Sequence, residues 1–185
     1  MKRVWSLHAL PQSNNVAIGF DEATVVIKIG NEIPLVSFSN GKVVLVNRGE
    51  IQTFNLKLNQ GEFKDGEVLK PSIKNLGRSE TYAQSMKFSP SGRYFSVCGD
   101  NDFVVYSFPK FTNAGFGNGS DLVWSTVNIG LNIFAIKGEN DQIKIYKNLQ
   151  EFKVFNTGFT VEGIFGGRLL AIKSKDFITY YDWET

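Results

Sequence analysis

Few residues in this 185-residue chain could do chemistry, and each stands without the neighbours a reaction needs. His8 is the only imidazole, so a hydrolytic triad has one candidate base and a His-rich metal site is excluded. No nucleophile or carboxylate pattern accompanies it, and it reads as a structural or surface histidine. Cys98 is the only thiol, which excludes an intrachain disulfide and a zinc site built on several thiolates. Between Val97 and Gly99 it reads as a small buried hydrophobe rather than a reactive thiol. Gly115-Phe116-Gly117-Asn118-Gly119 has the glycine content of a phosphate cradle. Such a loop needs a following helix and usually a lysine, but Asp121-Leu122-Val123-Trp124 begins a strand. The segment therefore reads as a flexible loop, and the sequon Asn118-Gly119-Ser120 as a turn.

Two recurring sets remain. Asp21, Asp100, Asp141 and Asp176 each precede a β-rich run, and repetition argues that they satisfy turn amides. Lys137, Lys144, Lys147, Lys153, Lys173 and Lys175 could face anionic lipid headgroups. Their alternation with apolar residues favours a solvated strand face. Phe116, Arg78 and Arg168 are possible loop anchors that nothing in the sequence singles out. No catalytic, cofactor-binding or metal residue is assigned, and the partner-binding residues are unknown.

The elements that would position these residues come from the repeat pattern. Apolar residues make up 42% and charged residues 21%, with 16 Phe, 6 Tyr and 3 Trp, a composition that folds. A formal charge of +2 gives no compositional case for nucleic acid. No run approaches the roughly 20 apolar residues of a membrane span. Met1-Lys2-Arg3-Val4-Trp5 lacks the apolar stretch of a secretory signal. A soluble intracellular, cytoplasmic protein is expected.

The clearest unit is 80–107. Three runs, Gln84 to Phe88, Tyr94 to Cys98 and Phe103 to Tyr106, are divided by Ser89-Pro90-Ser91-Gly92-Arg93 and by Gly99-Asp100-Asn101-Asp102. The first divider presets one φ with Pro and allows a positive one with Gly, so the chain reverses tightly. The unit recurs at 3–29, 33–56, 121–146 and 159–183. In 3–29 the first turn is Pro11 to Asn15; in 33–56 the second is Arg48-Gly49-Glu50. Aligned on Ile27, Phe54, Tyr106, Tyr146 and Tyr181, the third runs are 27, 52, 40 and 35 residues apart. Their mean is near the ~40 residues of a propeller blade. Two insertions explain the unevenness: Lys57 to Ser79, with a fourth strand expected at Leu69 to Ile73, and Lys110 to Ser120. Helical periodicity is lacking, so the fold class expected is all-β: an incomplete β-propeller of about five blade-like units.

The unit at 86–107 resembles a WD-repeat. The words Asn14-Asn15-Val16-Ala17-Ile18-Gly19-Phe20-Asp21-Glu22, Val97-Cys98-Gly99-Asp100, Ile143-Lys144-Ile145-Tyr146-Lys147-Asn148 and Glu162-Gly163-Ile164-Phe165-Gly166-Gly167, with Tyr181-Asp182-Trp183, resemble the beta-prime subunit family of coatomer, the COPI vesicle coat. Asn55-Leu56-Lys57, Asp65-Gly66-Glu67 and Phe116-Gly117 follow in the same order. The resemblance implies that residues 1–30 are the last blade of one WD-repeat propeller and 31–185 the first part of a second. It implies a fragment of a longer, non-enzymatic coat scaffold acting in Golgi-to-ER and intra-Golgi transport. The implied partners are other coatomer subunits, the alpha and epsilon subunits among them, with cargo tails held by the neighbouring first propeller. Association with Golgi membranes and COPI vesicles would be peripheral, with no cofactor and no nucleic acid. The dilysine cargo site of that family maps upstream, onto no motif present. A propeller adaptor of another complex, such as a ubiquitin ligase or a different coat, is the alternative. A propeller enzyme or nucleotide-binding protein is the reading from another class. Open strand edges predict limited stability or aggregation for the fragment alone.

Overall fold

Runs rich in Val, Phe and Tyr form strands throughout the computed structural model, which describes residues 3–11, 15–29, 34–47, 49–56, 66–68 and 70–184. Residues 12–14 of the first expected turn, Arg48 of another, and residues 57–65 and Leu69 of the first insertion lie outside the described residues. Among the described residues there is no α-helix, and a 3₁₀ turn spans Ile129–Leu131. The chain divides into two compact units, Met1–Ile33 and Pro34–Thr185.

The first unit carries one antiparallel sheet, ordered β1 (Val4–Ala9), β2 (Asn15–Phe20), β3 (Thr24–Lys28). The second unit carries four more. The second sheet runs β4 (Leu35–Ser39), β5 (Lys42–Asn47), β6 (Glu50–Asn55), β7 (Lys74–Arg78). Next comes β8 (Ser85–Phe88), β9 (Tyr94–Cys98), β10 (Asp102–Ser107), β11 (Asn113–Asn118). The fourth sheet is β12 (Asp121–Trp124), β13 (Phe134–Lys137), β14 (Gln142–Lys147), β15 (Gln150–Asn156). The fifth is β16 (Gly163–Phe165), β17 (Leu170–Lys173), β18 (Ile178–Tyr181). Within the second unit each sheet's first strand lies against the next, β4 on β8, β8 on β12, β12 on β16. First strands are thus innermost and fourth strands outermost, the arrangement of propeller blades.

The aligned aromatic and aliphatic positions prove structurally equivalent. Ile27, Phe54, Tyr106, Tyr146 and Tyr181 pair with Val16, Val43, Phe95, Phe134 and Leu170, each in the first two residues of its sheet's second strand.

Burial follows from having a sheet on both sides. On β9, Phe95 and Val97 join a core with Val44, Val46 and Ile51 of the second sheet, while Cys98 joins another with Leu122, Trp124 and Phe134 of the fourth. The two faces of one strand thus serve two cores, and its sequence is apolar on both faces apart from Ser96, whose buried hydroxyl donates to the Lys87 carbonyl at 3.2 Å. A third core, with Ile143, Ile145, Ile164, Leu170 and Ile172, fills the gap between the fourth and fifth sheets.

Three fourth strands differ from expectation. The one expected at Leu69 to Ile73 lies at Lys74–Arg78, bonded to β6, and residues 70–73 are not strand. The glycine-rich segment read as a flexible loop is β11, paired with β10 from Asp102–Asn118 to Tyr106–Asn113. One of its glycines is a packing device: a Cβ on Gly117 would sit 3.0 Å from the Phe103 ring, whereas one on Gly115 would meet open space. The fourth strand β15 carries no expectation from the sequence, although Phe152, Val154 and the residues between them alternate. Outer strands have one covered face, and their apolar content is correspondingly low.

Candidate interaction surface

The inner strands of four blades converge on a groove of about 390 Å³ lined by Ser37, Phe88, Val123, Trp124, Ile164 and Phe165. Its geometry comes from short inner strands of three to five residues tied to one another. Ser37 Oγ accepts the Phe88 N–H at 2.8 Å, tying β4 to β8. The Trp124 indole N–H donates to the Lys87 carbonyl at 3.2 Å, tying β12 to β8. Gly166 lets the fifth sheet close on the fourth, since a Cβ there would collide with the Trp124 backbone. Lys87 Nζ and Asp121 Oδ1 pair at 2.8 Å, both partly exposed. Asp121 also accepts its neighbour's N–H, that of Leu122, at 2.8 Å. The groove thus offers apolar surface and one compensated ion pair. A reacting centre would need a nucleophile beside a base, or a metal cluster. Among the described residues no group of three His, Cys, Asp or Glu could hold a metal ion.

The residues singled out by type are scattered over the fold. His8 lies exposed on β1, paired with Ala17. Cys98 is buried in the core between the third and fourth sheets, and burial pushes its thiol up to about 12, so it is held protonated and unreactive. Burial likewise raises the Tyr106 and Tyr146 hydroxyls above their ordinary value. Arg78 ends β7, Phe116 stands on β11 with 77% of its surface exposed, and Arg168 lies in the exposed turn before β17.

Asp21, Asp100 and Asp141 reach beyond their own turns. Backbone bonds close the four hairpins: the N–H groups of Phe20, Gly99, Gly138 and Ser174 donate to the carbonyls of Ala23, Asp102, Gln142 and Phe177, all at 2.8–2.9 Å. Asp21 accepts the Trp5 indole N–H, Asp100 the Gln84 side-chain amide, and Asp141 the Val161 N–H at 2.7 Å. That last bond links the fourth sheet to the segment entering the fifth. Among the lysines, Lys173 pairs with Glu162 at 3.0 Å and Lys137 donates to the Glu162 carbonyl at 3.4 Å. Lys147 and Lys153 sit over Phe152 and Phe155. Local partners on strand faces thus engage these four.

Four propeller-like blades match what known proteins show. A model of the COPA/B second β-propeller family matches residues 48–185. The chain belongs to the COPA/B second β-propeller family. Relatives in this family reach across the whole chain. Coatomer subunit beta' of Bos taurus is 38% identical over 186 residues, covering 100% of this chain and 20% of the relative. The human protein of that name gives the same figures. Coatomer subunit beta'-2 of Oryza sativa subsp. japonica is 41% identical over 187 residues, covering 99% of this chain and 20% of the relative. The chain thus spans about a fifth of the length of these curated relatives. Among solved structures, the crystal structure of the Mitotic Checkpoint Complex aligns with TM-score 0.59 at 16% identity, over 85% of this chain and 49% of that one. Hsv2 of Kluyveromyces lactis aligns with TM-score 0.54 at 12% identity, over 97% and 72%. Identities this low bear on the fold alone. In the COPA/B family the WD-like turn is visible here at Ser89-Pro90-Ser91-Gly92, where Gly92 has φ +64° and donates to Ser89 O at 2.9 Å.

Proposed function

We propose that the chain acts as a non-enzymatic scaffold of the COPI coat, its blades presenting turns and edges to other coat subunits. The observation that carries this reading is 38–41% identity to coatomer beta' subunits over essentially the whole chain. In this reading the first unit is a blade of one propeller and the second unit opens another, which the division at Ile33–Pro34 supports. The alpha and epsilon subunits are the partners, cargo tails are held by the neighbouring first propeller, and the work is Golgi-to-ER and intra-Golgi transport. Location follows: peripheral on Golgi membranes and COPI vesicles from the cytoplasmic side. Among the described residues, no helix is long and apolar enough to cross a membrane.

Affinity in such a scaffold comes from shape and a few anchors. The test is immunoprecipitation of the chromosomally tagged protein. Recovery of the other coatomer subunits in near-equal amounts is expected. Recovery of ubiquitin-ligase components or of another coat would replace this reading with the general adaptor.

A further inference from the structure

One position breaks the pattern of the blade interfaces. On the face turned to the following blade, the residue after the first turn is Lys42 in the second sheet, Tyr94 in the third and Ile133 in the fourth. The correspondence is set by backbone pairing: Ser39 with Lys42, the Ser89 N–H to Tyr94 O, and the Ser125 N–H to Ile133 O. Tyr94 and Ile133 pack into the cores beside them, sealing the interface at that rim. Lys42 does not, and a pocket of about 320 Å³ opens there, lined by Phe54, Phe108, Pro109, Ser72, Lys42 and Lys74.

The pocket has an apolar floor and two cations. Lys42 Nζ lies 5.2 Å from the centroid of the Phe108 ring, which holds the ammonium at the mouth. Lys74 begins β7, opposite Thr53, so Thr53 lies between the strands that carry the two lysines. Neither lysine forms an ion pair among the described residues. Its volume suits one large side chain, near the lower end of the about 300–1,000 Å³ of ligand pockets. Concavity and aromatic walls favour an inserted side chain over a flat lipid surface. Cations without an ion pair among the described residues, one on either side of β6, favour carboxylates flanking it.

We propose that this rim pocket docks a short linear peptide of a partner protein, an aromatic side chain flanked by acidic residues. The proposal stands on the pocket and does not require the coat reading.

The experiment is fluorescence polarisation of the full chain with a fluorescein-labelled synthetic nonapeptide carrying one phenylalanine between two pairs of aspartates. Saturable binding is expected, weakened about tenfold by replacing the phenylalanine with serine and about tenfold by the double variant Lys42→Glu with Lys74→Glu, which is about 1.4 kcal/mol each. The charge-reversed protein should instead prefer the peptide whose aspartates are lysines, a gain that a misfolded variant could not show. Three results would overturn the proposal: no saturable binding, equal affinity for all the peptides, or an unchanged affinity in the double variant. A fourth is co-sedimentation with phosphatidylserine vesicles that needs both lysines while the peptide stays unbound.

Discussion

The first unit and the second are made of the same strand–turn–strand–turn–strand unit, yet they differ in what they bury. In the first, β1 and β3 are exposed along their whole length and β2 is half-buried. Trp5 keeps 66% of its surface exposed, Leu7 69% and Val26 66%. In the second, β9 and β10 bury four consecutive residues each, because a sheet covers either face. A blade alone offers two apolar faces to water. Blades stacked in sequence remove about 1.5–3 kcal/mol of exposure penalty for each large side chain they enclose. The stabilising unit is therefore the gap between two sheets, not the sheet.

The strongest way to break that contrast is to open one gap. Phe95 is fully buried and rings with Phe88, Tyr106 and Phe111 at 5.5–6.3 Å. Phe95→Ala should cost about 3–5 kcal/mol in urea unfolding. Trp5→Ala, in the first unit, should stay within about 0.5 kcal/mol. Equal losses would erase the distinction.

Thiol chemistry gives a second measure. At pH 8 iodoacetamide should label Cys98 about 10³-fold more slowly than a thiol placed in the first unit by Val26→Cys, because a thiol held near 12 is almost never ionised. The folded thiol keeps its proton to higher pH than the unfolded one. Its stabilising contribution is complete below pH 9 and disappears as pH rises from about 9 to 12. The stability difference between the native chain and Cys98→Ser, followed across that range, should fall with pH and not rise.

Close approach of sheets supplies the third test. Gly166→Ala should cost about 1–3 kcal/mol, since the Trp124 backbone that it meets has nowhere to retreat. Substituting Gly66, which has open space around it, would cost only the strain of its positive φ. The smallest effect belongs to the groove's ion pair. Asp121→Asn should lose less than about 1 kcal/mol, and 0.5 M salt, an on-the-order-of concentration for screening, should shrink the difference from the native chain.

Inner and outer strands were not equally legible. Runs such as Tyr94 to Cys98 announce themselves because enclosure on both faces favours apolar residues at successive positions, with only Ser96 polar. The fourth strands β7 and β11 were misplaced or read as loop. Gly117 looks like flexibility in a linear sequence, and only the Phe103 ring beneath β11 shows why a side chain is crowded there. The aspartates were legible as a repeated set, but not their partners, because the backbone bonds that leave them free form only when the hairpins close.

By itself the sequence determined the strand class, the five repeated units and the equivalence of Ile27, Phe54, Tyr106, Tyr146 and Tyr181, since local alternation and turn chemistry act over a few residues. Tertiary structure alone decided which face of each strand meets which neighbour, that the outer strands pair at all, and that Lys42 stands where other blades place Tyr94 and Ile133. Those outcomes depend on contacts between residues far apart in the chain, and no spacing along it records them.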